Sequence, residues 1–305
     1  MSDKKFKPKN EFRKCAPNKI FDSNNDTCFT NEQVLKMVES YNNLQSNKKN
    51  KILNSKILDK KQLLDQLTQK LPKSCNSQEC LLKEDFILKL NDFDLNFNTL
   101  RPLGPNAKTK WLSSSDINQI MVQYTQKYNN YIFFGALPID FEEIEIPIDY
   151  NKIYTYLSNM YKDNIYKIGF VLNLDTSKES GSHWVALYSD LKQKSIYFFD
   201  SYGIQPKEEI IELMSKIAYW MSMKKYKITF NNEGVCEKYK DLNIDIKYNT
   251  IRHQFKHSEC GVYSINFILR LLKGDDFELI TTKKTLDDDI NKCRKTYFRF
   301  NLDDN

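Results

Sequence analysis

The sequence predicts an α+β domain with a small helical arm in front of it, and three observations carry that expectation. Four segments after residue 160 have strand patterning, with a helical segment among them and an amphipathic helix after them, a mixture that argues for α+β with an antiparallel component. All eight glycines lie at or after Gly104, so the first hundred residues are built differently from the rest. Those first residues carry apolar side chains at helical spacing and no strand pattern.

A chain of 305 residues with 40% hydrophobic content is long enough for one large domain or for a medium domain with an appendage. Nothing approaches the roughly 18 uninterrupted apolar residues of a membrane span, and "MSDKKFKPKNEFRK" is too polar for a signal peptide. The expectation is a soluble intracellular protein with no membrane insertion. The net charge of +6 is uneven: residues 1–100 hold 18 Lys+Arg against 13 Asp+Glu, and the remainder 28 against 27. A basic N-terminal part can bind nucleic acid, but a solvated lysine face is the commoner explanation, and nucleic acid is not the expected partner. Seven scattered cysteines, odd in number, argue for free thiols rather than a disulfide framework.

Taken in chain order, "CFTNEQVLKMVESYNNL" predicts a helix. Thr30 and Gln33 match a capping box, Phe29 and Val34 a hydrophobic staple, and Val34, Leu35, Val38 and Tyr41 recur on one face. A second helix places Leu63, Leu64, Leu67 and Leu71 together and is stopped by Pro72. "LRPLGPNAKTK", residues 100–110, is the candidate boundary, giving an arm over 1–104 and a second domain over 105–305. "WLSSSDINQIMVQYTQKY" reads as a helix capped by Ser113, Ser114 or Ser115. Strands are expected at 165–175, 183–190, 195–202 and 226–232, with a helix in "PKEEIIELMSKIAYWMS". In the last helix Val262, Ile265, Ile268, Leu269 and Leu272 form an apolar stripe and Gly274 is the stop. No internal repeat stands out.

The strands around "SDLKQK" bear on chemistry. With Leu191 and Lys192 at a hairpin tip, facing residues sum to 383 and His183 opposes Asp200; a register shifted by two leaves them diagonal neighbours on one face. Trp184, Ala186, Tyr188, Tyr197 and Phe199 take the other face. An imidazole beside a carboxylate is the orienting half of a nucleophilic triad. Cys260, at the start of the last helix, is the natural third member, because a helix N-terminus favours its thiolate. On these features alone Cys260 also reads as a small buried hydrophobe and the His–Asp pair as a structural hydrogen bond. His253 and His257 are rival bases, although each lies only a few residues before Cys260. Cys236 has no expected helix after it.

"SHWVALY", Asp200 17 residues after His183, and "RHQFKHSECGVYSINFIL" with Gln254 six residues before Cys260 resemble the ubiquitin-like-protein (SUMO) protease family of cysteine peptidases, which includes the adenovirus protease. "KWLSSSDINQIM" is similar to the start of that family's catalytic domain, so the family fold would cover about residues 105–300. The resemblance is closer still to the branch in large DNA viruses of the cytoplasm, which process polyproteins and carry an N-terminal helical arm; "GFVLNLD" and "INKCRKTYFRF" share it.

The resemblance implies a papain-superfamily-like core with Cys260 as nucleophile, His183 as base and then acid, Asp200 as the orienting group and Gln254 as an oxyanion donor with the Cys260 N–H. It implies no metal or organic cofactor. Trp111 and Trp184 would wall a narrow channel for a di-glycine, so that cleavage follows Gly-Gly, and the bland alternative for Trp184 is core packing. Trp220, at helical spacing from Leu213 and Ile217, reads as core. Cys15, Cys28, Cys75 and Cys80 lack zinc-site spacing and read as structural thiols. The implied substrate is a viral core or capsid polyprotein with a Gly-Gly-Xaa site, cut during virion maturation in virion and host cytoplasm. The alternatives are removal of a SUMO- or ubiquitin-like modifier from host proteins and, more remotely, an inactive basic scaffold or nucleic-acid-binding core protein.

Overall fold

The computed structural model describes residues 29, 31–53, 55, 57–73, 75, 78–81, 84–90, 102, 104–105, 109–143 and 152–298. The chain divides into two compact units, one holding Met1–Leu103 with Thr296–Arg299 and the other Gly104–Lys295 with Phe300–Asn305.

In the first unit four helices are described: α1 (Asn31–Leu44), α2 (Lys60–Gln69), α3 (Gln78–Leu81) and α4 (Asp85–Leu88). Phe29, Val34, Met37 and Val38 share one core with Leu63, Leu64, Leu67 and Ile87, so the helical spacing seen in the sequence is the spacing of the buried faces. Thr30, the expected cap of α1, lies outside the described residues. Asp59 caps α2 through a box with Gln62. One expectation is corrected here: Cys75 and Cys80 form a disulfide, their Cα atoms 5.3 Å apart. The Cys75 N–H closes a turn on the Pro72 carbonyl at 2.7 Å and Cys80 lies in α3, and the Cα separation is within bridging reach.

The second unit is built on a five-stranded sheet in the order β1 (Tyr131–Pro138), β2 (Lys167–Asn173), β3 (Trp184–Asp190), β4 (Ser195–Phe199), β5 (Asp245–Tyr248). The pairs β1–β2 and β4–β5 are parallel, and β2–β3 and β3–β4 are antiparallel. The α+β expectation holds, with a mixed sheet. Helix α5 (Ser114–Lys127), capped by Ser113 in a box with Asp116, lies at β1, where Asn118 Oδ1 accepts the Ala136 N–H at 2.9 Å. Helix α6 (Ile153–Lys162) precedes β2, and α7 (Glu208–Ser222) lies between β4 and β5. Ile210, Leu213, Met214 and Ile217 of α7 share a core with Val185, Leu187, Ile196 and Phe198, so α7 covers one sheet face. Trp220 packs against that core, and its Nε1 donates to Ser158 Oγ at 2.9 Å. The other face takes α8 (Cys260–Lys273), whose Phe267 stacks on Phe199 with ring centroids 4.9 Å apart. Helices α9 (Phe277–Thr282), α10 (Asp287–Lys292) and α11 (Arg294–Tyr297) complete the described elements.

Two strand expectations need correction. Residues 226–232 form no strand: Ile228 and Phe230 do alternate into the core, but Tyr226 bonds the Tyr239 hydroxyl, and the nearby edge of β5 takes only one bridge, Val235 to Lys247. The strand beside β4 is instead β5, four residues too short and too charged to show a period. The hairpin tip is also longer than two residues. Asp190 pairs with Ser195 and Leu191–Lys194 form a four-residue loop, so facing residues sum to 385. Asp190 Oδ1 accepts the N–H groups of Lys192 and Gln193 at 3.0 and 2.9 Å, and Lys194 closes the loop at φ 55°.

Helix α8 is buried well beyond its stripe: Val262, Ile265 and Ile268 are fully inaccessible, and Phe267 and Leu271 are buried too. Gly274 ends it at φ 99°, as its C-cap position requires. Ile268→Ala should therefore cost about 2–5 kcal/mol. All three tryptophans lie in the second unit, so denaturant unfolding followed by tryptophan fluorescence reads that unit; an unchanged midpoint would refute the burial argument.

Candidate active site

The shifted register decides how His183 meets Asp200. They are diagonal rather than directly opposed, and His183 Nε2 lies 2.6 Å from Asp200 Oδ1, with both side chains buried. Continued past the strand ends, the sum of 385 puts Tyr202 opposite His183. The Tyr202 ring does stack on the imidazole, centroids 4.4 Å apart and planes within 6°.

Asp200 is fixed from three directions. Asn249, just beyond β5, accepts its N–H at 2.8 Å and donates to its carbonyl at 2.7 Å. The Tyr202 N–H donates to Oδ1 at 2.8 Å, and Gly203 N–H closes the turn on the Asp200 carbonyl at 2.8 Å. Gly203 has φ 73°, and a Cβ there would lie 2.8 Å from the Ile251 carbonyl carbon, so glycine alone lets the 250–252 backbone approach.

That approach delivers Gln254, which is fully buried. The Ser201 carbonyl accepts the N–H groups of His253 and Gln254, at 2.8 and 2.9 Å, and the Ser201 hydroxyl donates to Gln254 Oε1 at 2.6 Å. With the amide oxygen so engaged, the orientation of the Gln254 NH₂ is set; it donates one hydrogen to the Lys256 carbonyl at 2.8 Å and has a second to offer.

Cys260 is the first residue of α8 and 2% exposed. As a first-turn residue its N–H lies outside the helix's own ladder, and its thiol sits at the positive end of the dipole. Burial alone would depress the His183 pKa. The hydrogen bond and charge of Asp200, together with the Cys260 thiol, outweigh it and raise the value from 6.5 to about 9. His183 Nδ1 is buried and has no conventional hydrogen-bond partner, so the Cys260 sulfur is the polar group that acts on the ring from outside the Asp200 contact. A protonated imidazole between a carboxylate and a thiol is the arrangement that stabilises a thiolate and can return the proton to a leaving group.

The other histidines and Cys236 sit in different surroundings. His253 is buried, its Nε2 3.1 Å from the Thr281 carbonyl and its Nδ1 accepting the Thr285 N–H at 3.3 Å, and burial lowers its pKa. His257 is exposed. Cys236 is followed by a 3₁₀ helix, Glu237–Leu242, contrary to expectation, but its thiol is packed into the core under α7. Among the described residues one cluster of metal-ligating type occurs, Cys75, Cys80 and Glu84; its two sulfurs are bonded to each other and offer no thiolate. Cys15 and Cys28 lie outside the described residues.

Trp184 is buried and its Nε1 donates to the Leu112 carbonyl at 2.8 Å, whereas Trp111 is 42% exposed. Both line a cavity of about 580 Å³ with Asn173, Asp175, Glu179 and Gly181. None of Cys260, His183, Asp200 and Gln254 lines that cavity; two of its lining residues, Leu112 and Trp184, pack close to Gly261, where a Cβ would lie 3.2 Å from Leu112 and 3.3 Å from Trp184. Ser201, Tyr202 and Asn249 were not legible as site residues in the sequence. Of the three, Tyr202 follows from the 385 register once Asp190 is recognised as the start of a four-residue loop.

Residues 167–301 match the model of the Ulp1 protease family, C-terminal catalytic domain. Over 300 residues the chain is 36% identical to a protein of Acanthamoeba polyphaga mimivirus named as a thiol protease, covering 93% of each chain. It is 26% identical over 268 residues to a SUMO-1 cysteine protease of African swine fever virus, covering 82% of this chain and 92% of that one. The crystal structure of the African swine fever virus protease shares the fold, with a TM-score of 0.53 over 79% of this chain and 89% of that one at 22% identity. No helix among the described residues is long and apolar enough to cross a membrane.

Because the folded-state pKa of His183 is raised, the stability this group contributes is complete below about pH 6.5 and is lost as pH rises through about 9. Melting temperature measured across that window should fall more for the unmodified protein than for Asp200→Asn, which removes the main charge holding the proton. Equal pH dependence in the two would refute the assignment of the shift to Asp200.

Proposed function

This chain belongs to the Ulp1 protease family and is a cysteine peptidase, and we propose that it is an endopeptidase that cleaves after Gly-Gly in viral structural polyproteins during virion maturation. The observation that carries the reading is the buried His183–Asp200 pair acting on a thiol at a helix N-terminus.

In the proposed mechanism Cys260 attacks the scissile carbonyl as thiolate, and His183, having taken its proton, returns it to the leaving amine. Asp200 holds the imidazole by Nε2 and stabilises its protonated form. The oxyanion is met by the Cys260 N–H and the second hydrogen of the Gln254 amide, whose direction Ser201 dictates. Trp111 and Trp184 act as walls of the approach to the site, and a cleft bounded by two indoles favours residues without Cβ atoms before the scissile bond. The same reading takes residues 1–104 as a helical arm domain, residues 105–305 as the catalytic domain, and the viral assembly site in host cytoplasm and the virion as the place of action. The viral origin of the relatives supports it.

A second substrate, a SUMO- or ubiquitin-like modifier, is favoured by one observation: a relative carries SUMO-1 protease in its name. Both substrates require the same chemistry beyond a di-glycine.

Cys260→Ala should abolish cleavage of Gly-Gly-Xaa peptides with the fold intact, and full activity in that variant would end the assignment. Gln254→Ala should lower turnover by about 10²- to 10³-fold. Peptide panels run beside SUMO and ubiquitin C-terminal reporters separate the two substrate classes. Peptide preference supports the endopeptidase, and reporter preference supports the deconjugase.

A further inference from the structure

The segment that presents Cys260 is held by two buried charged residues, Arg294 and Glu259, joined through Asn291 rather than to each other, that the chemistry above does not use. Arg294 in α11 is 2% exposed and Glu259 is 1% exposed. Arg294 Nη2 donates to the Ser258 carbonyl at 2.8 Å, and its Nε donates to Asn291 Oδ1 at 2.9 Å. Asn291 Nδ2 donates in turn to Glu259 Oε1 at 2.8 Å. The Glu259 carboxylate also accepts from the Ser258 N–H at 2.8 Å and from the Ser258 hydroxyl at 3.0 Å. Ser258 is thus gripped at its N–H, its hydroxyl and its carbonyl, two residues before the thiol.

Burying a guanidinium and a carboxylate is costly unless hydrogen bonds satisfy them, and here Asn291 and Ser258 supply those bonds. Glu259 occupies the N-cap position of α8, yet its side chain does not cap the helix; it folds back onto Ser258. In general a carboxylate near a thiol disfavours the thiolate and a guanidinium near it favours the thiolate, and Arg294 interacts electrostatically with both Glu259 and Cys260. Three groups interact electrostatically with Cys260: His183 ahead of β3, Tyr202 after β4 and Arg294 from α11. Behind them, Asp200 acts on His183 and Tyr202, Arg252 and Asp287 of α10 act on Tyr202, and Glu259 and Asp116 act on Arg294.

We infer that Arg294 is a positioning residue for the peptidase reaction: with Asn291 and Glu259 it clamps Ser258–Cys260, and its charge balances Glu259 so that the thiolate forms beside a neutral pair. This rests on the reading of Cys260 as the nucleophile.

The test is the pH dependence of Cys260 alkylation by iodoacetamide, followed by mass spectrometry on the full chain. In Arg294→Gln the midpoint should rise by roughly one pH unit, about tenfold less thiolate below both midpoints. In Glu259→Gln it should fall, and the double variant should return towards the unmodified protein. A purely structural role would lower the melting temperature of both single variants without moving the midpoints in opposite directions, and that outcome overturns the inference. Should Arg294→Gln not fold, Glu259→Gln decides alone: a lowered midpoint supports the inference and an unmoved or raised one overturns it. An unmodified Cys260 that titrates like a solvated thiol, near 8.5, defeats the nucleophile reading itself. That result differs from a depressed midpoint that neither variant moves.

Discussion

The second unit is organised around the contact between His183 and Asp200. An imidazole and a carboxylate both taken out of water are stable together only if the geometry is held, because each charge is worth more to the other in a dry site and costs more if it strays. The register of β3 against β4 provides the first constraint, and the Asp190 loop fixes that register. Asn249 and the turn ending at Gly203 provide the second, tying Asp200 to a segment almost fifty residues further along the chain. Ser201 then passes the same constraint to Gln254. One pair therefore determines where three segments of the chain must lie.

The packing behind this site is what makes such precision affordable. The sheet is covered by α7 on one face and α8 on the other, so the strands that follow His183 and lead into Asp200 are bordered by closely packed side chains that transmit displacement rather than absorb it. Helix α8 is buried around most of its circumference, which fixes its axis and hence the position of its first residue. Gly261 lies in that first turn with Leu112 and Trp184 packed close against it. The same buried elements that resist unfolding hold the imidazole on its carboxylate and place the thiol where it acts on the imidazole.

Much of this was legible in the sequence, for identifiable reasons. The apolar stripe of α8, its glycine stop, the serine caps of α5 and the strands β2 to β4 all follow local periodicities that tertiary contacts reinforce. The pairing of His183 with Asp200 survived an error in loop length because a shift of two residues preserves the face. What the sequence did not reveal depends on distant partners. β5 is too short to have a period, and the alternation at 226–232 reflects core packing without a ladder. Asn249 and Ser201 act through backbone groups far away in the chain, and no local signal marks them. The Cys75–Cys80 bridge ran against the expectation of free thiols because the argument from composition ignores a tight local turn.

The central claim is that Cys260, and no other thiol of this chain, is made nucleophilic by His183 and Asp200. It is tested most directly by treating the protein with a peptide whose C-terminal Gly-Gly ends in an electrophilic aldehyde or alkyne, then mapping the adduct by mass spectrometry. A single adduct on Cys260 that disappears in His183→Ala is the expected result. An adduct on any other cysteine, or one on Cys260 that forms equally well without His183, would contradict it.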